Sequence, residues 1–232
     1  MLTASEDRTA RLWDVASGKE LWALRGHEKL VTNAQFSADS KTVVTASWDR
    51  TARLWDVASG EQLRSFSGHT GAIFSARLSS DGKTVLTASE DKTARLWDVA
   101  SGEQLRALTG HKNRVYSARF SRDGKIALTA SWDKTARLWE VATGQELRAL
   151  GEHLGRVSDA QFSADGKTVL TASEDKTVRL WDVASGKELQ TLSGHEGQVK
   201  GAQFSADGKT ALTASEDKTA RLWDGKRLAV AS

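Results

Sequence analysis

The sequence contains no cysteine, no proline and no run of about 18 apolar residues. Without cysteine the 232-residue chain can form neither disulfides nor thiolate–metal sites, so apolar burial and hydrogen bonds must hold the fold. The first residues lack a charged segment followed by an apolar one, so neither a secretion signal nor a membrane helix is expected. We expect no association with a membrane and, by default, a cytoplasmic location.

Excess charge of one sign is also nearly absent. Lysine and arginine together number 33 and aspartate and glutamate 30, which gives a net charge of +3. Both signs are interspersed along the whole chain, as on an ordinary solvated surface. Nucleic acid is therefore not an expected partner, since that role favours a clustered basic patch.

The sequence does contain one repeat that recurs every 42 positions. A tryptophan followed by an acidic residue marks each copy, at Trp13, Trp55, Trp97, Trp139, Trp181 and Trp223. All five histidines keep the same spacing, at His27, His69, His111, His153 and His195. No copy carries an insertion. Such regularity indicates a row of equivalent supersecondary structures that pack on one another.

Each repeat divides into four short segments suited to β-strands, separated by turn residues about every ten positions. In repeat 110–151 the predicted strands are residues 115–120, 126–130, 135–141 and 146–150. Asp123–Gly124 and Thr143–Gly144 mark two of the turns, because glycine adopts a positive φ at little cost. No segment between turns is long enough for an amphipathic helix. The repeat is therefore predicted to fold as a four-stranded antiparallel sheet.

These sheets predict an all-β fold, a β-propeller of about six blades, because a sheet with two apolar faces must pack against its neighbours. We expect a single domain, 1–232, with repeats 1–25, 26–67, 68–109, 110–151, 152–193 and 194–232. The first repeat begins at its second strand, so its blade is incomplete. With residues 226–231 as a last strand, the chain has one strand fewer than six complete blades. This favours either a longer array or closure by another copy, so self-association is possible.

The glycine–histidine pair, the Asp123–Gly124–Lys125 turn and the tryptophan–acid pair resemble those of the WD-repeat propellers over essentially the whole chain. The resemblance implies a buried hydrogen-bond network in each blade, made by a histidine, a serine, an aspartate and the tryptophan. The implied sets are His27, Ser47, Asp49 and Trp55; His69, Ser89, Asp91 and Trp97; His111, Ser131, Asp133 and Trp139; His153, Ser173, Asp175 and Trp181; His195, Ser215, Asp217 and Trp223. The first repeat has Ser5, Asp7 and Trp13 but no histidine.

Serine, histidine and aspartate together also raise the possibility of a hydrolase. A nucleophile needs one singular, open environment, whereas this set occurs five times beside a tryptophan. Histidines 42 positions apart would lie on different blades and could not converge on one metal ion. The sequence therefore predicts no enzyme activity, no metal site and no cofactor.

Positions that differ between repeats are candidates for recognition. Trp48 and Trp132 stand where other repeats have glutamate, and Phe74, Tyr116 and Lys200 share one column of the first strand. The resemblance implies that both columns face the top rim and central channel, where the family commonly binds peptides. We therefore predict a non-enzymatic scaffold that binds a protein or acidic peptide. Its predicted site residues are Trp48, Phe74, Tyr116 and Trp132 as apolar anchors, and Arg114, Arg156 and Lys200 as partners for acidic groups.

Two alternatives stay open. Trp48 and Trp132 could simply fill space between blades, and the near-identical repeats also suit a purely structural module, amplified recently or engineered, with no ligand of its own. Trp22 lies in an outer strand where other repeats have arginine or glutamine, so it is expected at a sheet edge or in a contact between chains.

Overall fold

The computed structural model describes residues 1–151 and 153–224. These residues form 22 strands in six antiparallel sheets, and no helix. None of the described residues therefore belongs to a helix that could span a membrane. The chain divides into two compact units, one that ends at Gly110 and one that begins at His111.

The first compact unit contains three sheets. Sheet 1 has three strands, β1 (Leu2–Ala4), β2 (Ala10–Trp13) and β3 (Glu20–Leu24). Sheet 2 has β4 (Val31–Phe36), β5 (Thr42–Ser47), β6 (Thr51–Asp56) and β7 (Gln62–Ser67). Sheet 3 has β8 (Ile73–Leu78), β9 (Thr84–Ser89), β10 (Ala94–Asp98) and β11 (Gln104–Leu108). The strands of each sheet follow one another as in the sequence.

The second compact unit repeats this order. Sheet 4 has β12 (Val115–Phe120), β13 (Ile126–Ser131), β14 (Ala136–Glu140) and β15 (Glu146–Leu150). Sheet 5 has β16 (Val157–Phe162), β17 (Thr168–Ser173), β18 (Val178–Asp182) and β19 (Glu188–Leu192). Sheet 6 has β20 (Val199–Phe204), β21 (Ala211–Ser215) and β22 (Ala220–Trp223). The fourth strand predicted at 226–231 lies outside the described residues.

The prediction of four antiparallel strands per repeat is confirmed in sheets 2 to 5, and in sheet 4 the strand ends agree within one residue. The incomplete first sheet is confirmed as well. Gly124 and Gly144 have φ values of 71° and 77°, as their turns require. Lys134 also has a positive φ, 74°, in the turn between β13 and β14. Lysine takes this conformation although it costs a residue with a Cβ about 1–2 kcal/mol.

Apolar residues pack between neighbouring sheets inside each compact unit. In the first unit, Val44 and Leu54 of sheet 2 share a core with Ile73, Val85 and Trp97 of sheet 3. In the second unit the same columns build the cores between sheets 4 and 5 and between sheets 5 and 6. The repeat tryptophans of sheets 2 to 6 are at most 3% exposed. Each core is therefore made of two successive repeats, as amphipathic sheets require.

Candidate functional site

A chain of three hydrogen bonds runs through the interior of sheet 4. The Trp139 Nε1–H donates to Thr129 Oγ1 over 2.8 Å, and Thr129 Oγ1 lies 2.7 Å from His111 Nε2. The other ring nitrogen, His111 Nδ1, lies 2.8 Å from Asp133 Oδ2. A carboxylate can only accept, so the imidazole donates to Asp133 from Nδ1. A neutral imidazole that donates from Nδ1 accepts at Nε2, so the threonine hydroxyl donates to Nε2 and accepts from the indole.

The same network is present in sheets 2 to 6, with each bond within 0.1 Å of its counterparts. Its histidines are His27, His69, His111, His153 and His195, its hydroxyls Thr45, Thr87, Thr129, Thr171 and Thr213, and its carboxylates Asp49, Asp91, Asp133, Asp175 and Asp217. Each network is completed by its repeat tryptophan.

The serine assigned to this network from the sequence does not join histidine and tryptophan; threonine does. Ser131 Oγ instead accepts from the backbone N–H of Asp133 over 3.0 Å and donates to the carbonyl of Arg114 over 2.8 Å. Ser47, Ser89, Ser173 and Ser215 likewise accept from the backbone N–H of their network aspartates. The strand register gives the reason. Trp139 is paired with Ala127, and Thr129, two residues further along the same strand and on the same face, is the diagonal neighbour of Trp139. That register is the signal that could have identified the threonine.

Burial and hydrogen bonding set the charges of the network, as the His69–Asp91 pair of sheet 3 shows. Burial opposes ionisation of Asp91, but hydrogen bonds from His69 and Thr93 outweigh it and hold the pKa of the carboxyl well below its ordinary value. Burial lowers the pKa of His69 despite the neighbouring carboxylate. The pair is therefore a neutral imidazole that donates to an aspartate anion.

Sheet 1 has a shortened network. Trp13 Nε1 donates to Thr3 Oγ1 over 2.9 Å, and no histidine joins them within the described residues. Asp7 instead accepts from Thr9 over 2.6 Å and from Arg11 over 2.7 Å. The hydrogen bond from Thr9 is the main reason why the pKa of Asp7 falls to about 2.

A second cluster lies on the surface of sheets 4 and 5. The guanidinium carbons of Arg114 and Arg156 lie 4.9 and 4.1 Å from the centre of the Trp132 ring. The Tyr116 ring stacks beside Trp132, with 6.1 Å between centroids and 23° between planes, and Tyr116 is 42% exposed. The backbone N–H of Trp132 donates to the carbonyl of Arg114, which fixes the turn that holds both side chains. Four of the seven residues predicted for a binding site thus meet in one place.

With this geometry described, the chain can be compared with known families. The family model described as "WD domain, G-beta repeat" matches residues 18–56, 60–98, 102–140, 144–182 and 186–224. The chain belongs to the WD-repeat family. WD repeats generally mediate protein–protein interaction or scaffolding, and proteins built from them are generally non-enzymatic. No match appears among curated proteins.

The other three predicted residues of this WD-repeat chain have different surroundings. Trp48 is 46% exposed and Phe74 is partly buried, and both lie in the first compact unit. Lys200 lies in sheet 6, where its ammonium is 2.8 Å from Glu216 and 2.6 Å from Gln198 Oε1.

Trp22 of the first WD repeat lies on β3, the outer strand of sheet 1, as expected, and it contacts the next sheet of its own chain. Its ring lies against Gly60, where a Cβ atom would come within 2.8 Å of Trp22 Cδ2. Arg64, in the same column one repeat later, donates to the carbonyl of Ala100 in the next sheet over 2.7 Å. Trp22, Arg64 and Arg148 therefore join an outer strand to the turn of the following sheet, a role that sequence reasoning missed.

Each WD-repeat network joins a hydroxyl, a histidine and an aspartate, the residue types of a catalytic triad. The threonine hydroxyl that contacts histidine has a triad-like arrangement with aspartate, yet Thr45, Thr87, Thr129, Thr171 and Thr213 are all 0% exposed. A substrate cannot reach a hydroxyl that is fully buried and also accepts from an indole. Among the described residues, no three histidine or acidic side chains are grouped so as to hold a metal ion.

Proposed function

We propose that this chain is a propeller scaffold that binds acidic peptides at the Arg114–Tyr116–Trp132–Arg156 cluster. The observation that carries the proposal is the position of two guanidinium groups beside one tryptophan ring. A guanidinium that stacks on a ring uses its face, and its five N–H donors lie in the plane, where carboxylates bind. The cluster therefore combines two arginines, one of which lies 3.7 Å from Glu174, with aromatic area.

A comparison within the chain supports this assignment. In sheets 5 and 6 the residue before the network aspartate is a glutamate, and each glutamate lies beside a cation. Glu174 is 3.7 Å from Arg156, and Glu216 is 2.8 Å from Lys200. In sheet 4 the same position is Trp132, which contacts Arg114 through its ring. An aromatic ring attracts a cation without cancelling its charge. Trp132 itself thus brings no carboxylate to the cluster.

The aromatic residues supply the apolar part of the contact. Each ring offers about 150–250 Å² of surface, and tryptophan, tyrosine and arginine dominate binding hot spots. Tyr116 is the more accessible of the two stacked rings in sheet 4. A partner with an apolar side chain flanked by carboxylates would fit this arrangement. The proposal also includes Trp48 and Phe74, in the first compact unit, as apolar anchors.

The proposal includes closure of the sheets around one axis as a single domain, 1–232. Its support is the constant spacing of 42 residues and the equivalent cores between sheets 1 and 2, 2 and 3, 4 and 5, and 5 and 6. Equal sheets packed by equal contacts turn by equal angles, which is the geometry of a propeller.

The test is binding of the tightest member of an acidic peptide library, measured by calorimetry. Replacing both Trp48 and Trp132 by alanine is expected to weaken binding at least about tenfold, which corresponds to about 1.4 kcal/mol. Trp22→Ala is the matched control, since Trp22 is 41% exposed but contacts a turn on an outer strand. Unchanged affinity in the double variant would remove the site.

A purely structural module is the second candidate. The observation that favours it is the near-identity of the five networks, whose bonds differ by no more than 0.1 Å between sheets. A library screen that yields no binder of either acidic or neutral peptides would support this candidate over the first.

A further inference from the structure

A carboxylate of the chain itself, that of Glu174, lies beside one of the arginines in the acidic-peptide cluster. Its Oε2 atom is 3.7 Å from the Nε atom of Arg156. Arg156 is exposed and Glu174 is partly exposed. At this distance the two groups attract each other by charge but form no hydrogen bond. The guanidinium of Arg156 thus has two neighbours, the ring of Trp132 and a carboxylate of its own chain.

The backbone holds Arg156 and Glu174 side by side. The N–H of Glu174 donates to the carbonyl of Arg156 over 2.9 Å. Gly155 lies so close to the opposite turn that a Cβ atom on it would come within 2.5 Å of the backbone nitrogen of Asp175. The carboxylate of Asp175 is bound to His153 in the buried network of sheet 5. The two turns are therefore fixed to each other, and the carboxylate of Glu174 stays within reach of the guanidinium.

The equivalent pair of positions differs among the three sheets of the second compact unit. In sheet 6 it holds Lys200 and Glu216, whose charged groups are only 2.8 Å apart. In sheet 4 it holds an arginine and Trp132, so this position supplies no carboxylate. Sheet 5 is intermediate, because Arg156 has a carboxylate at 3.7 Å and also contacts an aromatic ring. Arg156 is therefore a cation with a longer and weaker internal ion pair than that of Lys200.

A carboxylate of a bound peptide would approach the same guanidinium. To form a hydrogen bond with Arg156, it would have to come close to the like charge of Glu174. Like charges brought together in an interface lower affinity, and the internal ion pair must be given up or shared. Glu174 thus opposes an acidic ligand both by competition for Arg156 and by repulsion.

We propose that Glu174 is an internal competitor, a residue that limits the affinity of the cluster for acidic peptides by occupying Arg156. This inference rests on the proposed function, because it concerns the same site. Glu174 acts through Arg156, so its effect should depend on the negative charge of the ligand and on the presence of the arginine.

The test is calorimetry of the full chain with the acidic peptide selected from the library, and with the same peptide in which amide side chains replace the carboxylates. Glu174→Gln keeps the size of the side chain and removes its charge. It is expected to tighten binding of the acidic peptide about three- to tenfold and to leave binding of the neutral peptide unchanged. Because Glu174 is partly exposed, the variant should keep the urea midpoint of the original chain.

Glu216→Gln is the matched control, since it removes the same charge from the equivalent position of sheet 6. It should change the affinity for the acidic peptide by less than about twofold, because exposed charges away from the ligand are screened by salt. An equal tightening in the two variants would show an effect of net charge alone and would overturn the inference.

A double-mutant cycle tests whether Glu174 acts through Arg156. Arg156→Gln should weaken binding of the acidic peptide, and Glu174→Gln added to it should then have no further effect. A tightening that persists without the arginine would contradict the proposed competition.

The results also separate this inference from the proposed function. If the acidic peptide binds the original chain and Glu174→Gln with equal affinity, Glu174 is no competitor, and the binding site itself stands. If no acidic peptide binds either protein, the site and its competitor are both refuted.

Discussion

At the scale of single residues, one threonine hydroxyl per sheet does two things. Thr129 accepts from the indole of Trp139 and donates to His111, so a donor-only group and an imidazole are both satisfied by one oxygen. Thr129 is 0% exposed and Trp139 is 1% exposed, so water cannot replace either bond. An unsatisfied polar group at such a site costs about 1–3 kcal/mol. The threonine is therefore as important to the network as the histidine.

Thr129→Val keeps the shape of the side chain but removes its hydroxyl. It should lower the free energy of unfolding by about 1–3 kcal/mol for each of the two groups left unpaired, measured by urea denaturation.

Thr3→Val is the matched control in sheet 1. Among the described residues Thr3 Oγ1 accepts from Trp13 alone, and Trp13 is partly exposed and can be solvated, so the loss should be smaller. Equal losses in the two variants would contradict this account of the network.

At the scale of elements, the outer strands are held by their side chains as well as by the ladder. The ladder between β2 and β3 shifts register between Leu12 and Trp13, and Trp22 of β3 reaches the turn at Gly60. Gly60 has a φ of 72°, a left-handed conformation that favours glycine. It thus meets two requirements, one conformational and one steric.

Gly60→Ala and Gly18→Ala separate the two requirements. Both glycines have φ near 70°, but nothing lies within 4 Å of a Cβ at Gly18, whereas at Gly60 it would meet Trp22 Cδ2 at 2.8 Å. We expect both variants to be destabilised by backbone strain, Gly60→Ala by about 1–3 kcal/mol more, in urea denaturation.

The additional loss should disappear when Trp22 is also replaced, as in a double-mutant cycle. If Gly60→Ala and Gly18→Ala lowered the free energy of unfolding equally, the contact with Trp22 would contribute nothing to the loss.

At the scale of the whole molecule, the five network carboxylates act on stability together, because each has a pKa below its ordinary value: Asp49, Asp91, Asp133, Asp175 and Asp217. The pKa of Asp91 is lowered from 3.8 and that of His69 from 6.5 in the folded chain. A lowered pKa means that the unfolded chain binds the proton more readily, so stability falls as pH falls. The contribution of His69 is lost as the pH falls below its unfolded pKa of 6.5, and that of Asp91 is lost as the pH falls below about 4.

We therefore expect the free energy of unfolding to decrease steadily between about pH 7 and about pH 3, measured by urea denaturation at each pH. Asp91→Asn removes one carboxylate, so the difference in stability between this variant and the original chain should shrink toward acid pH. A difference that stays constant from neutral to acid pH would rule out this linkage.

Most of the fold could be predicted from the sequence because the same pattern of strand and turn residues recurs every 42 positions. In repeat 110–151 the strand ends followed from turn residues such as Gly124 and Gly144, which have few alternatives. The hydroxyl of the network was missed because Thr129 and Ser131 lie on the same face of one strand, and only the pairing of Trp139 with Ala127 distinguishes them. The spacing of residues along one strand does not specify which of them lies diagonally opposite a residue on the neighbouring strand.

The candidate binding site was predicted in part for a related reason. Trp132 and Tyr116 were identified at positions that differ between repeats, and Arg114 and Arg156 as partners for acidic groups, and the structure brings these four together. What the column positions could not show is that both guanidinium groups stack on one ring. The pairing of Lys200 with Glu216 was equally hidden, because it depends on side-chain directions at the ends of two strands.

The sequence by itself determined the repeat, the all-β class, the four strands and their turns, since these depend on local periodicity and on residues with few backbone choices. Tertiary structure alone decided which hydroxyl joins the histidine to the tryptophan, which arginines contact Trp132 and which apolar faces are covered. Those outcomes depend on contacts between strands and between sheets, where two residues of equal character differ only in what lies opposite them.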